Sequence, residues 1–268
     1  MRHVLSAAVL ALTCATPLPA LAATCGDDGS GFDAWLPAFK SEAAANGVSQ
    51  RALAALSGVT YNAQVISLDR HQGHFSRSFE EFGVPRIAQR INKARAMMKT
   101  HAATLARIEQ QFGVPGAVVI AIWGLETDFG VVMGKQPALR SLATLAYDCR
   151  RSEKFTEELM AALKIIDRGD LTPAEMKGAW AGELGQTQFL ASSYLKFAVD
   201  FDGNGKRDLI RSVPDVLAST ANYLKGYGWK PGPFGEGSAN FAVLKEWNKS
   251  PVYQKTIAVF AAQLMGEE

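Results

Sequence analysis

"VPGAVVIAIWGLETDFG", Val114 to Gly130, is the stretch on which the reading of this chain turns. Pro115 stands near a helix start, where a missing N–H costs nothing because the first turn has no partner for it. From Val118 to Leu125 the run is apolar on every side, so a helix here is buried all round and central. A lone carboxylate, Glu126, closes the run. Charge is expensive in apolar surroundings, so this group must find a partner or keep its proton. On a helix, Ile122 and Trp123 lie on the preceding turn at i−4 and i−3, setting the carboxyl against apolar and aromatic groups. Burial of that kind raises a carboxyl pKa and suits a general acid at neutral pH. The residues alone leave a second reading open, a structural Glu paired with Arg150 or Arg151.

Outward from this helix the apolar residues keep helical spacing. "FDAWLPAFKSEAAANG" carries Phe32, Trp35, Leu36 and Phe39 on one face and stops at Gly47. "SQRALAALSG" follows with Ser49 as cap, and "RIAQRINKARAMMKTHAATLARIEQQFG" reads as one long helix or two, ending at Gly113. "SEKFTEELMAALKIIDRGD" is amphipathic, "TPAEMKGAW" reads as a short capped helix, and "SVPDVLASTANYLKGYGW" as another closing at Gly228. No persuasive alternating run occurs, so the expected class is mainly α. Between the helices lie turn-rich pieces, "GVVMGKQPALR", "GELGQTQFLASSY", "DFDGNGKRD" and "WKPGPFGEGS", whose glycines either turn corners or let backbone approach a ligand.

The N-terminal residues read as an export signal: a basic start at Arg2, an apolar run from Val4 to Thr13, and small residues ending in Ala20-Leu21-Ala22. Residues 1–23 are therefore expected to be cleaved and residues 24–268 to form one catalytic domain. Lipidation at Cys14 or Cys25 is disfavoured, because neither has a bulky aliphatic residue three positions upstream. The formal charge of +2 falls to +1 when Arg2 leaves, with both signs interspersed, which gives no case for nucleic acid. No segment reads as an integral membrane span. Two cysteines remain in an oxidising compartment, Cys25 and Cys149, and invite one disulfide.

Other chemistries lack their residues. His71 and His74 stand at i, i+3 without an HExxH arrangement, and they read as surface or hydrogen-bonding side chains. No Gly-x-Ser-x-Gly occurs, and "GKQPALR" lacks P-loop spacing. "DFDGNGKRDLIRSVPD" begins like a calcium loop, with Asp200, Asp202 and Asn204 at positions 1, 3 and 5 and Gly205 at 6. Arg211 stands at position 12 where a bidentate Glu belongs; the candidate set is Asp200, Asp202, Asn204, Lys206 and the later Asp215, against a metal-free Asx-turn loop. Any ion there is expected to be structural calcium, with no cofactor for the chemistry.

"VPGAVVIAIWGLETDFG", "ALRSLATLAYDCRRSEKF", "GAWAGELGQTQFLASSYLKFAVDFDGNGKRD" and "ANYLKGYGW", with "LDRHQ" upstream, together resemble the lytic transglycosylase B family of exported murein-cleaving enzymes. The resemblance implies a lysozyme-like core at about residues 105–268 with a helical N-terminal segment packed on it. It implies cleavage of the β-1,4 bond between N-acetylmuramic acid and N-acetylglucosamine without water, Glu126 acting as acid and then base. It further implies sugar contacts from Gln188 and Phe189, a basic pair Arg150 and Arg151 lining the cleft, and a wall of Trp247, Asn248 and Tyr253. Peptidoglycan strands are the implied substrate, other cell-wall enzymes the implied partners, and the periplasm the location. Two departures stand out: Ala179 where the family usually has Ser near the acid, and Glu183 where it has a small residue. Glu183 reads first as a salt-bridge partner of Arg150 or Lys206, with a second cleft carboxylate as the alternative.

Overall fold

The computed structural model describes residues 23–71 and 77–266; the expected signal segment and His74 lie outside them. Twelve helices are described: α1 (Phe32–Ala45), α2 (Gln50–Ala54), α3 (Ala63–Arg70), α4 (Phe79–Thr100), α5 (Ala102–Phe112), α6 (Gly116–Thr127), α7 (Ala138–Tyr147), α8 (Ser152–Arg168), α9 (Ala191–Phe197), α10 (Val213–Gly226), α11 (Ala239–Trp247) and α12 (Pro251–Met265). The expected mainly α class holds. A two-residue antiparallel ladder joins β1 (Gln136–Pro137) to β2 (Lys177–Gly178).

Helix α6 is the axle. Residues Gly116 to Gly124 are all buried, and α4, α5, α10 and α12 pack around it. Burying side chains such as Val118, Ile120 and Ile122 contributes roughly 1.5–3 kcal/mol each. A second group of helices packs on the α7–α8 pair, with α1 and α3 against α7 and α2 and α9 against α8. The expected core boundary near residue 105 falls inside α5, and α4, which precedes it, packs on both α6 and α12.

Local chemistry explains most boundaries. Ser49 caps α2 and Ser78 with Glu81 forms a reciprocal capping box at α4. The long basic stretch is two helices, divided at His101, and α5 closes on Gly113 in the left-handed region. "TPAEMKGAW" is not a helix. The Glu175 carboxylate takes both the N–H and the hydroxyl of Thr172, closing a single turn, and the chain then enters β2. Helices α7 and α9 begin within pieces that read as turn-rich and run on past them.

The N-terminal end is tied down by the expected disulfide, which joins Cys25 to Cys149 across 124 positions. The Gly26 N–H donates to the Tyr147 carbonyl at 2.9 Å, and the Cys149 N–H returns to the Gly26 carbonyl at 3.1 Å. Among the described residues no single helix is long and apolar enough to cross a membrane.

Candidate active site

Glu126 stands on the last turn of α6, where the helix ends in two consecutive non-glycine residues in the left-handed region, Asp128 (φ 53°) and Phe129 (φ 61°). That conformation is costly outside glycine and persists only where its surroundings impose it. Helix α4 does so. Lys93 Nζ donates to the Asp128 carbonyl at 3.0 Å and to its carboxylate at 3.2 Å, and Arg90 Nε donates to the Gly124 carbonyl at 2.9 Å. Phe129 then turns back edge-on to Trp123, centroids 5.4 Å apart, over Gly124. A Cβ at Gly124 would lie 2.7 Å from the Phe129 ring, so only glycine admits this fold-back.

The turn is locked to the loop that follows β2. Thr127 Oγ1 donates to the Gln186 carbonyl at 2.5 Å, and Trp123 Nε1 donates to Gln186 Oε1 at 2.8 Å. Gln186 Nε2 continues to the Ile210 carbonyl at 2.9 Å. Thr127 and Gln186 escaped sequence reasoning although both lie inside motifs that it quoted; nothing in spacing shows that two motifs 59 positions apart are hydrogen-bonded.

The carboxyl of Glu126 has two protein donors, both on one oxygen. Trp247 Nε1 donates to Oε1 at 2.9 Å and the Tyr253 hydroxyl donates to the same atom at 2.7 Å. Oε2 accepts no protein hydrogen bond among the described residues. Burial pushes the Glu126 pKa up, the two donors pull it down, and the nearby charge of Glu183 adds a smaller upward push. Burial and the neighbouring Glu126 also push the Tyr253 hydroxyl well up, so it stays a donor. The acid opens onto a cavity of about 450 Å³, lined among others by Glu183, Gln188, Phe189, Tyr223 and Trp247. Trp247, Phe189 and Tyr223 form one aromatic wall, with ring centroids 5.0–5.6 Å apart. The family model described as "Transglycosylase SLT domain" matches residues 31–237.

The chain belongs to the transglycosylase SLT domain family. Over 129 residues it is 43% identical to the membrane-bound lytic murein transglycosylase B of Escherichia coli strain K12, a match covering 48% of this chain and 36% of that protein. The chain thus meets about a third of that relative's length. The crystal structure of SltB3 from Pseudomonas aeruginosa in complex with NAG-anhNAM-pentapeptide superposes with a TM-score of 0.83 and 31% identity, over 89% of this chain and 80% of that one. The Escherichia coli lytic transglycosylase Slt35 in complex with calcium shares the fold, with a TM-score of 0.75 and 24% identity, over 91% of this chain and 96% of that one.

Within this transglycosylase fold the remaining sequence candidates divide. Gln188 (φ 55°) lines the cavity, yet its amide donates inward to the carbonyls of Met133 at 3.1 Å and Gly185 at 2.9 Å. Asn248 also lines the cavity while its Oδ1 accepts the Ser250 N–H at 2.9 Å. Tyr253 is not on the cavity lining; its hydroxyl grips the acid instead. Arg150 and Arg151 do not line it either. Both converge on the buried carboxylate of Asp69, 81 positions from Arg150. Neither therefore partners Glu126. Glu183 makes no salt bridge to Arg150 or Lys206, which corrects its first reading. It lines the cavity, burial raises its pKa, and its Oε2 is sealed without a hydrogen-bond partner. His71 Nδ1 lies 2.7 Å from the Ser67 carbonyl oxygen, a local hydrogen bond.

Away from the cleft, the carboxylates of Asp200, Asp202 and Asp215 offer oxygens all within 4.8 Å of one another. Asp200 accepts N–H groups of Gly203, Asn204 and Gly205, and Asn204 Oδ1 accepts the Lys206 N–H at 2.9 Å. Arg211 is drawn off to Asp208 at 2.6 Å and Glu175 at 2.5 Å. None of the three converging carboxylates is ion-paired among the described residues, so this donor set fits a hard divalent cation.

Proposed function

We propose that this chain is a murein lytic transglycosylase that cuts the β-1,4 bond between N-acetylmuramic acid and N-acetylglucosamine and leaves a 1,6-anhydromuramyl end, with Glu126 as the one acid and base. The observation that carries the reading is the asymmetry of the Glu126 carboxyl on the cavity lining, with both donors on Oε1 and none from the described protein on Oε2. The proton then belongs on Oε2. Burial favours the neutral acid, and Oε2 gives its proton to the glycosidic oxygen as the C1–O bond breaks. The carboxylate left behind is stabilised by the Trp247 N–H and the Tyr253 O–H, which hold it until it takes the proton of the muramyl C6 hydroxyl as O6 bonds to C1. One group serves both steps because its proton affinity is balanced between burial and two donors. The substrate supplies the nucleophile, so no second carboxylate is required, unlike the pair used by hydrolysing glycosidases. Trp247, Tyr223 and Phe189 offer ring faces and edges to the sugars. The anhydro-sugar ligand named for SltB3, a relative 31% identical, supports the same product here.

The proposal extends to an exported enzyme acting on peptidoglycan strands in the periplasm, and to a structural calcium held by Asp200, Asp202 and Asp215 with Asn204 and Lys206 in the same loop. The ion would brace the loop before α10 and takes no part in the chemistry.

Mass spectrometry of murein digested by the purified protein decides the reaction. Products lighter by one water than the hydrolysis products carry the anhydro end. Glu183 gives one competing reading a foothold, because it shares the cavity with Glu126. Reducing ends from the wild type, with Glu183→Gln as inactive as Glu126→Gln, would replace the transglycosylase by a two-carboxylate hydrolase.

A further inference from the structure

Murein carries carboxylates, either on the lactyl ether of the muramyl sugar or along its attached peptide. A cationic donor in the cleft is a strong means of recognising such a group. The basic pair that the sequence offers for this task lies off the cavity lining, with Arg150 and Arg151 both directed to Asp69. Lys154 is in a different position. It stands in the first turn of α8, lines the same cavity as Glu126, and is the one cationic residue on that lining among the described residues. It forms no salt bridge there; its ammonium approaches the Phe155 ring at 5.5 Å from the centroid. Phe155 is buried, so the stem of Lys154 rises from a fixed base.

No carboxylate closes on the ammonium as a salt bridge among the described residues. Burial is the largest influence on both Glu126 and Glu183 and raises them, while the charges of Lys154 and Arg151 pull Glu183 part of the way back down. Helix α8 itself is set in place by the disulfide and by the Asp69 cluster at its entry.

We propose that Lys154 is a specificity-determining contact of the cleft, its ammonium pairing with a carboxylate of the bound saccharide; this rests on the glycan-cleaving reading above. The contact would distinguish acidic murein from neutral glycans of the same linkage.

Calorimetric titration of the Glu126→Gln protein, which keeps the cleft but does not turn the saccharide over, tests it with three probes. These are NAG-NAM-pentapeptide, the same compound with its carboxylates methyl-esterified, and peptide-free NAG-NAM with a free lactyl carboxylate. Adding Lys154→Ala should weaken binding of a carboxylate-bearing probe roughly 10-fold, the scale of one hydrogen bond to a charged group, and Lys154→Arg should restore most of it. The esterified probe should not distinguish the variants. A loss confined to the pentapeptide compound places the contact on the peptide, and one confined to the peptide-free compound places it on the lactyl group; either supports the proposal. Equal weakening of the esterified probe, or no change with any probe, overturns Lys154 while the glycan reading stands. Absence of binding by all three probes, with no anhydro ends from the wild type, overturns the function and the contact together.

Discussion

Glu126 and Asp215 are both carboxyl groups taken out of water, and both have pKa values pushed up with burial as the largest cause. Their oxygens are used differently. Asp215 is held by backbone, accepting the N–H groups of Phe201 at 2.7 Å and Asp202 at 3.3 Å on Oδ1 and of Asp208 at 2.9 Å on Oδ2. Glu126, on the lining of a cavity, takes two side-chain donors on one oxygen and none from the described residues on the other. A shifted pKa is thus common to a loop anchor and a proposed catalyst. The spare oxygen separates them.

The strongest attempt to break this comparison exchanges the two losses. Glu126→Gln should lower anhydro-muropeptide release by about 10,000-fold or more, since general acid and base help is worth about 100- to 10,000-fold and one residue supplies both steps. Asp215→Ala should leave kcat per folded molecule unchanged. A folded Asp215→Ala protein that is inactive would erase the distinction.

Tyr253→Phe sharpens it by removing one of the donors on Oε1. Activity should fall roughly 10- to 100-fold, the worth of a hydrogen bond to a charged group. The Tyr253 bond lowers the proton affinity of Glu126, so its loss should carry the alkaline limb of the pH profile upward. An unchanged limb would mean that this bond does not tune the acid.

For Asp215→Ala the expected cost appears in stability, about 3 kcal/mol in denaturant unfolding, because three backbone N–H groups lose their acceptor. Calcium should raise the melting temperature of the wild type, with a gain of about 2.7 kcal/mol at one hundred times its dissociation constant. Asp202→Ala should abolish that gain; a gain that survives places the ion elsewhere.

The smallest effect is the stability of Glu126→Gln itself. Glu126 is protonated in folded and unfolded chains alike well below its ordinary value of 4.5, so there its burial carries no charge penalty. As pH rises from there toward the raised value, the unfolded chain ionises first and the wild-type fold loses stability. Glu126→Gln still accepts from Trp247 and Tyr253 through its amide oxygen and escapes that loss. Its melting temperature should exceed the wild type's near neutral pH and converge with it in acid; equal values throughout would show an unperturbed acid.

Much of this was legible before any coordinate. The all-round apolarity of Val118 to Leu125 announced a buried central helix and put Glu126 under suspicion. The disulfide followed from two cysteines in a chain expected to be exported, and the acidic loop from the spacing of Asp200, Asp202 and Asn204. The short helix expected from "TPAEMKGAW" failed because its own signal, a Thr with a Glu three positions on, closes one turn as readily as it starts a helix. Gly178 then lets the chain fold back so tightly that a Cβ there would lie 1.6 Å from the Glu183 carbonyl oxygen. Such an approach is invisible in the sequence.

What the sequence determined alone is whatever depends on neighbours within a few turns: helix periodicity, caps, the greasy approach to Glu126 and the carboxylate spacing of the loop. Only the tertiary structure decided which partners meet. Trp247 and Tyr253 reach Glu126 across 121 and 127 positions, Asp69 draws in Arg150 across 81, and Lys154 is the one cation on the cavity lining among the described residues. The physical reason is that helical side-chain contacts are set by local geometry at i+3 and i+4, whereas a hydrogen bond between distant segments exists only once packing has brought its donor and acceptor within about 3 Å.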